Sequence, residues 1–162
     1  MDTRAELLGL LRENARYSVS DLARLTGRDE NEIEEAITTL EQDGVLRGYQ
    51  AVVDWSQADS EPVRATVELN VALDRETGYD DIARRIVKFE EVRSLRLVSG
   101  DFDFALDVEA DSMGAVSRFI SEQVAPVPEV TQTVTHYVME SYKENGIEFS
   151  DGHDDDRLSV TP

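Results

Sequence analysis

Three observations predict an α+β chain built in two parts. Apolar residues recur at three- and four-residue steps from Thr3 to about Asp43, and later they alternate with polar residues in four separate runs. Between these regions lies a polar stretch, D54-W-S-Q-A-D-S-E-P62, which fits neither period and reads as a linker.

The helical part divides into three. Leu7, Leu8, Leu10 and Leu11 make an apolar stripe that ends at Glu13-Asn14. Ser18 or Ser20 can cap a second short helix carrying Leu22, Ala23 and Leu25, and Gly27 closes it. Asp29 caps a third, Glu32 stands three residues on as the partner of a capping box, and Ile33, Ile37 and Leu40 face the core until Gly44 stops the helix. Strand-forming residues follow in V45-L-R-G-Y-Q-A-V-V53, with Gly48 at a bend. Residues 1–53 therefore read as a winged helix-turn-helix, a DNA-binding module; a small helical bundle used only for packing or dimerisation fits the same spacing.

After the linker the order is strand, helix, strand, strand, helix, strand. Ala65, Val67, Leu69, Val71 and Leu73 alternate with polar neighbours, and Gly78–Glu90 carries Ile82, Ile86 and Phe89 at helical steps. Val92–Ser99 and Phe102–Ala110 are strands meeting at a Gly100-Asp101 hairpin. Asp111 or Ser112 caps a helix with Met113, Val116, Phe119 and Ile120 on one side, and Val130–Met139 is the last strand. This order is the βαββαβ of a ferredoxin-like sandwich over residues 63–149, four antiparallel strands with both helices on one face. The other face is open and semi-polar, with Asp103, Ala105, Asp107 and Glu109 on the third strand, and it suits a second sheet in a dimer. E140-S-Y-K-E-N-G-I-E-F149 can add a short return strand beside an edge or pack on a partner. Residues 150–162 form an acidic tail expected to be disordered.

Composition narrows the chemistry. The absence of cysteine rules out disulfides, thiolate catalysis and Cys-ligated metal. The N-terminus lacks an export signal and no run is long enough to span a membrane, so a cytoplasmic protein with no membrane partner is expected. His136 sits alone in the last strand and His153 in the tail; neither has a second His, and Asp154-Asp155-Asp156 lacks the spaced ligands of a calcium loop, so no metal or other cofactor is expected. The 35 acidic residues against 16 basic give a net charge of −19, with Lys88 and Lys143 as the only lysines. Nucleic-acid-binding domains normally carry the opposite sign. The acids are spread over both halves and interleaved with apolar periodicity, which suits a folded surface adapted to high salt.

Several stretches carry a family resemblance. L7-L-G-L-L, V19-S-D-L-A-R-L-T-G27, I33-E-E-A-I-T-T-L-E-Q-D-G-V-L-R-G-Y49 and V53-D54 resemble the helix-turn-helix of the Lrp/AsnC (feast/famine) transcriptional regulators, and V98-S-G-D-F-D-F-A-L-D-V108 resembles the Gly-x-x-Asp turn of their effector-binding sandwich. The chain looks like a salt-adapted, haloarchaeal-like member. The resemblance implies a regulator that dimerises, often assembles further, binds double-stranded operator DNA and responds to a small molecule, commonly an amino acid, held between sandwich domains. It places Ser99, Gly100, Asp101, Phe102 and Asp103 at the effector turn. There a Gly frees backbone N–H groups for a carboxylate and Asp103 can accept from an ammonium; an Asp in a hairpin equally often satisfies backbone donors nearby.

The third helix departs from the pattern. D29-E-N-E-I-E-E-A-I-T-T-L-E-Q-D-G44 holds seven carboxylates and no Arg or Lys, so bidentate reading of guanine is unavailable from it. Asn31, Thr38 and Thr39 are the neutral polar groups on it that could meet base edges or phosphates, and Arg28 and Arg47, flanking it, are the candidate phosphate contacts. Weak or strongly salt-dependent DNA binding follows. Two other readings stay open: an interaction protein that has lost DNA binding and hetero-oligomerises with basic paralogues or senses metabolites, and a decarboxylase of haem biosynthesis, which combines similar domains.

Overall fold

The computed structural model describes residues 2–149, so the expected tail, with His153 and Asp154–Asp156, lies outside the described residues. The chain divides into two compact units, one made of residues up to Val53 with the segment from Lys143, the other of Asp54–Tyr142. No helix among the described residues is long and apolar enough to cross a membrane.

In the first unit, α1 (Thr3–Glu13), α2 (Val19–Thr26) and α3 (Glu30–Gln42) surround a core of Leu7, Leu11, Leu22, Ala23, Ile33 and Leu40. Each start is set by an oxygen that satisfies an otherwise unpaired N–H: Asp2 takes that of Arg4, Ser18 that of Asp21, and Asp29 that of Asn31. At α2 the box is reciprocal, since the Asp21 carboxylate also accepts from Ser18 N–H at 3.1 Å. The box expected at α3 does not close. Glu32 instead accepts from the Arg28 guanidinium at 2.9 Å, because a full cation one turn away is a stronger partner than a backbone amide. Gly27 ends α2 with φ 67°, a left-handed conformation that an L side chain adopts at a cost.

The wing is the main correction. Residues 45–53 contain no strand; the chain bends at Val45 and Leu46, and Arg47 and Tyr49 fold back toward α3. Strand-forming residues need a partner strand before a ladder can form, and no strand pairs with this segment. The segment after Tyr142 forms its own hairpin, β5 (Lys143–Glu144) and β6 (Ile147–Glu148), paired with each other rather than with the main sheet. Its turn, Asn145 (φ 48°) and Gly146 (φ 85°), is the positive-φ pair that a two-residue hairpin requires.

In the second unit a single 3₁₀ turn, Trp55–Gln57, capped by Asp54, lies within the stretch read as a linker. A four-stranded sheet follows in the order β2-β3-β1-β4, with β1 Val63–Val71, β2 Val92–Leu97, β3 Phe104–Ala110 and β4 Val130–Tyr137. All neighbours are antiparallel, and α4 (Tyr79–Ile86) and α5 (Met113–Phe119) complete the βαββαβ order. Ala65, Val67 and Leu69 of β1 and Phe104, Leu106 and Val108 of β3 are buried against Ile82, Ile86, Val116, Phe119, Ile120 and Val124. Each fully buried large side chain contributes about 1.5–3 kcal/mol. α4 is shorter than its pattern, yet Phe89 still reaches the core in an edge contact with Phe119 (5.5 Å). Met113 is exposed rather than facing the core, because it opens the helix directly after the Ser112 cap. A π-helical turn at Ile120–Val124 widens the register and turns Val124 inward.

The sheet's open face is polar and internally bonded. Asp107 accepts from the Ser94 hydroxyl, from Thr66 Oγ1 at 3.2 Å and from Arg96 at 3.2 Å. His136 Nε2 lies 3.0 Å from Glu68 Oε2, and Val134 is an exposed apolar residue between them and Gln132. No Asp or Glu among the described residues is buried.

Candidate nucleic-acid interface and effector turn

α2, the tight turn Gly27-Arg28-Asp29 and α3 have the form of a helix-turn-helix, with α3 in the position of the helix that enters a groove. Ile33 and Leu40 anchor α3 from beneath, so Asn31, Glu34, Glu35, Thr38 and Thr39 face solvent. Arg4 ties its C-terminal end to α1 through a 2.7 Å ion pair with Asp43.

The candidate residues behave differently from one another. Asn31 and Thr38 are exposed, and nothing among the described residues bonds their side chains. Thr39 is exposed and donates its hydroxyl back to the Glu35 carbonyl at 2.8 Å. Arg28 is half-buried; one arm is held by Glu32, while its buried Nε has no hydrogen-bond partner. Arg47 points its Nε at the Gly44 carbonyl, 2.7 Å away, and thereby satisfies the end of α3. Both candidate phosphate contacts are thus engaged within the unit. Glu30, Glu34 and Glu35 are exposed charges of α3 that no described residue neutralises.

The effector turn joins β2 to β3. Val98 N–H donates to the Asp103 carbonyl (2.9 Å) and Asp103 N–H to the Leu69 carbonyl (2.9 Å), so the turn is fastened at its base and to β1. Gly100, at φ 127°, adopts a conformation that disfavours any side chain. The Asp103 carboxylate faces inward: Oδ2 accepts Val71 N–H at 2.9 Å and Oδ1 accepts the Tyr79 hydroxyl at 3.4 Å. Tyr79 in turn packs edge-on against Phe104 at 5.9 Å. Asp103 therefore joins the ends of two strands and the start of α4, at a point where the β1–β4 register shifts after Asn70. Ser99, Gly100 and Asp101 are exposed and Phe102 half-buried, and the backbone N–H groups of residues 99–102 bond to no described residue. The turn thus offers amides, while the acid beside it is already bound.

Among the described residues no group of three His, Asp or Glu side chains is arranged to hold a metal ion. His136 has a carboxylate partner, and no second imidazole stands beside it among the described residues.

Comparison with known proteins bears on both regions. A family profile described as the Lrp/AsnC ligand binding domain matches residues 64–147. A Bacillus subtilis protein described as the uncharacterized HTH-type transcriptional regulator YugG is 36% identical over 158 residues, covering 97% of this chain and 95% of its own. The leucine-responsive regulatory protein of Haemophilus influenzae is 28% identical over 139 residues, 86% of this chain and 83% of that one. Among solved structures, the leucine response regulatory protein LrpA of Mycobacterium tuberculosis superposes with a TM-score of 0.73 at 23% identity, covering 90% and 96% of the two chains. The regulator NMB0573 of Neisseria meningitidis, solved as a complex with L-Met, gives a TM-score of 0.69 at 21% identity over 89% and 92%.

Proposed function

Since the chain belongs to the Lrp/AsnC family of DNA-binding transcriptional regulators, we propose that it reads a specific operator through α3 and that an amino acid bound at residues 98–103 modulates this binding. Membership of a regulator family, not an enzyme family, sets the decarboxylase alternative aside. The observation that carries the DNA-binding part is the capped three-residue turn that sets the polar face of α3 outward while Ile33 and Leu40 hold it from below. Asn31 and Thr38 make the base contacts, the Thr39 methyl packs on apolar base edges, and Arg28 and Arg47 approach phosphates once they exchange their present partners for DNA. The exposed amides of residues 99–102 favour a ligand carboxylate, and the neighbouring complex described with L-Met supports an amino acid as its class.

Assembly is part of this reading. The open sheet face, with Val134 and the ordered groups around Asp107 and Glu68, is the surface through which two copies pair, and the effector turn lies in position for contact between dimers. The protein is cytoplasmic, and its acid excess, held wholly at the surface among the described residues, is an adaptation to a concentrated-salt interior.

A second reading rests on α3 itself: Glu34 and Glu35 are unneutralised while Arg28 and Arg47 are engaged, which favours a subunit that assembles with basic paralogues and leaves DNA contact to them. Selection from a random DNA library at about 0.1 M and about 2 M KCl, with and without the twenty amino acids, separates the two. Enrichment of one motif, altered by an amino acid, is the expected result. No enrichment at any salt by a protein that still assembles would defeat the operator reading and favour the second.

A further inference from the structure

The helical unit has a groove that neither DNA nor effector uses in the reading above. It is an open cavity of about 640 Å³ between α1 and the segment that follows α3, lined by Leu8, Arg12, Glu13, Arg16, Leu46 and Ile147, among others. Two features distinguish it. The first is electrostatic. Elsewhere on this unit arginines are engaged, Arg4 with Asp43, Arg24 with Asp21, Arg28 with Glu32 and Arg47 with a carbonyl. Arg12 and Arg16 are exposed, and no described residue pairs with their guanidinium groups. In a chain with 35 acids against 16 bases, two neighbouring unpaired arginines are conspicuous.

The second feature is where the chain goes next. Asn145 and Ile147 of the β5–β6 hairpin line the groove, and the description ends two residues later at Phe149. Beyond it the sequence reads S150-D-G-H-D-D-D-R-L-S-V-T-P162. An extended chain advances roughly 3.5 Å per residue, so Asp154–Asp156 come within about 25 Å of Phe149. The order of chemistry also matches, with an acidic run followed by Leu158 and Val160 on alternate positions, against a groove of two arginines and an apolar wall. Tethering supplies a high effective concentration, so exposed charge pairs that are weak between molecules suffice within one.

We propose that this groove is the docking site of the chain's own residues 150–162, with Asp154–Asp156 on Arg12 and Arg16, and Leu158 and Val160 on Leu8, Leu46 and Ile147. The contact tethers the C-terminal segment to α1 and covers the strand-free segment that follows α3. It owes nothing to DNA or effector binding.

The full-length protein has no cysteine, so Ser159→Cys gives a single site for a nitroxide spin label. With the label attached at about 0.1 M KCl, amide signals of residues 8–16 and 46–52 are expected to lose the most intensity in the helical unit, ahead of those of α3. The signals should return at about 2 M KCl, and also in the Arg12→Gln/Arg16→Gln variant, whose unchanged thermal melt shows that the fold is retained. Absent or evenly spread broadening would overturn the proposal, as would broadening that survives the double substitution. Equal broadening of an isotope-enriched chain without the nitroxide, caused by an added spin-labelled copy without isotopic enrichment, would assign the groove to a second chain instead, and would overturn it too.

Discussion

Replacing Asp103 by Ala separates a structural acid from a ligand-binding one. Its carboxylate takes the Val71 N–H at 2.9 Å and the Tyr79 hydroxyl at 3.4 Å. A hydrogen bond to a charged group contributes about 1.5–3 kcal/mol, and the longer contact counts for less. Removal also leaves the Val71 amide half-buried without its partner, where the β1–β4 ladder shifts register. The expected loss is about 2–3 kcal/mol for Asp103→Ala, and about 1 kcal/mol for Asp103→Asn, which keeps one acceptor oxygen but no charge. Urea unfolding followed by far-UV circular dichroism measures both, with an unchanged slope as the control that the unfolded state is the same. If Asp103→Ala unfolds within about 0.5 kcal/mol of wild type while amino-acid binding disappears, the structural argument fails and Asp103 is a direct ligand.

Other consequences are as direct. Burial on its own raises the Asp107 carboxyl, but hydrogen bonds from Ser94, Arg96 and Thr66 with the Arg96 charge more than offset this, and the group lies below the ordinary carboxylate range. With a folded value below the unfolded one, its stabilisation is present above about pH 4 and fades as pH falls through the folded value; the stability difference between wild type and Asp107→Asn should therefore shrink on acidification from pH 5 to 2, as read by urea titrations. Gly27→Ala places a side chain at φ 67° with no atom within 4 Å of the new Cβ, so the cost is purely conformational, about 1–2 kcal/mol in thermal or urea unfolding. Phe104→Ala removes a buried ring and its edge contact with Tyr79, and should cost about 3–5 kcal/mol by the same measurement. Glu34→Gln with Glu35→Gln should raise DNA affinity about tenfold at 0.1 M KCl, with the two proteins converging toward 2 M in an anisotropy titration.

Much of the architecture was legible because it rests on local rules. The 3.6- and 2-residue periods located the helices and strands, the caps at Ser18, Asp29 and Ser112 follow from side-chain chemistry within three residues, and the order of elements led to the sandwich. The Asn145-Gly146 dipeptide suits positive φ and closes a self-paired hairpin, where the segment by itself reads as a return strand beside an edge or as packing on a partner. The chain's membership of its family was carried by two short motifs in the right order.

What only the tertiary structure decided are pairings between groups far apart in sequence or in competition for one partner. Residues 45–53 have strand-forming side chains but no strand pairs with them, and a ladder needs two. Arg28 and Arg47 were free cations on paper; in the fold one meets Glu32 and the other the Gly44 carbonyl. Asp103 was an acid near a turn until Val71 and Tyr79, 32 and 24 residues away, closed on its two oxygens. A hydrophobic period survives almost any neighbour because burial is non-directional, whereas a charge is committed by whichever donor the folded chain brings within 3 Å.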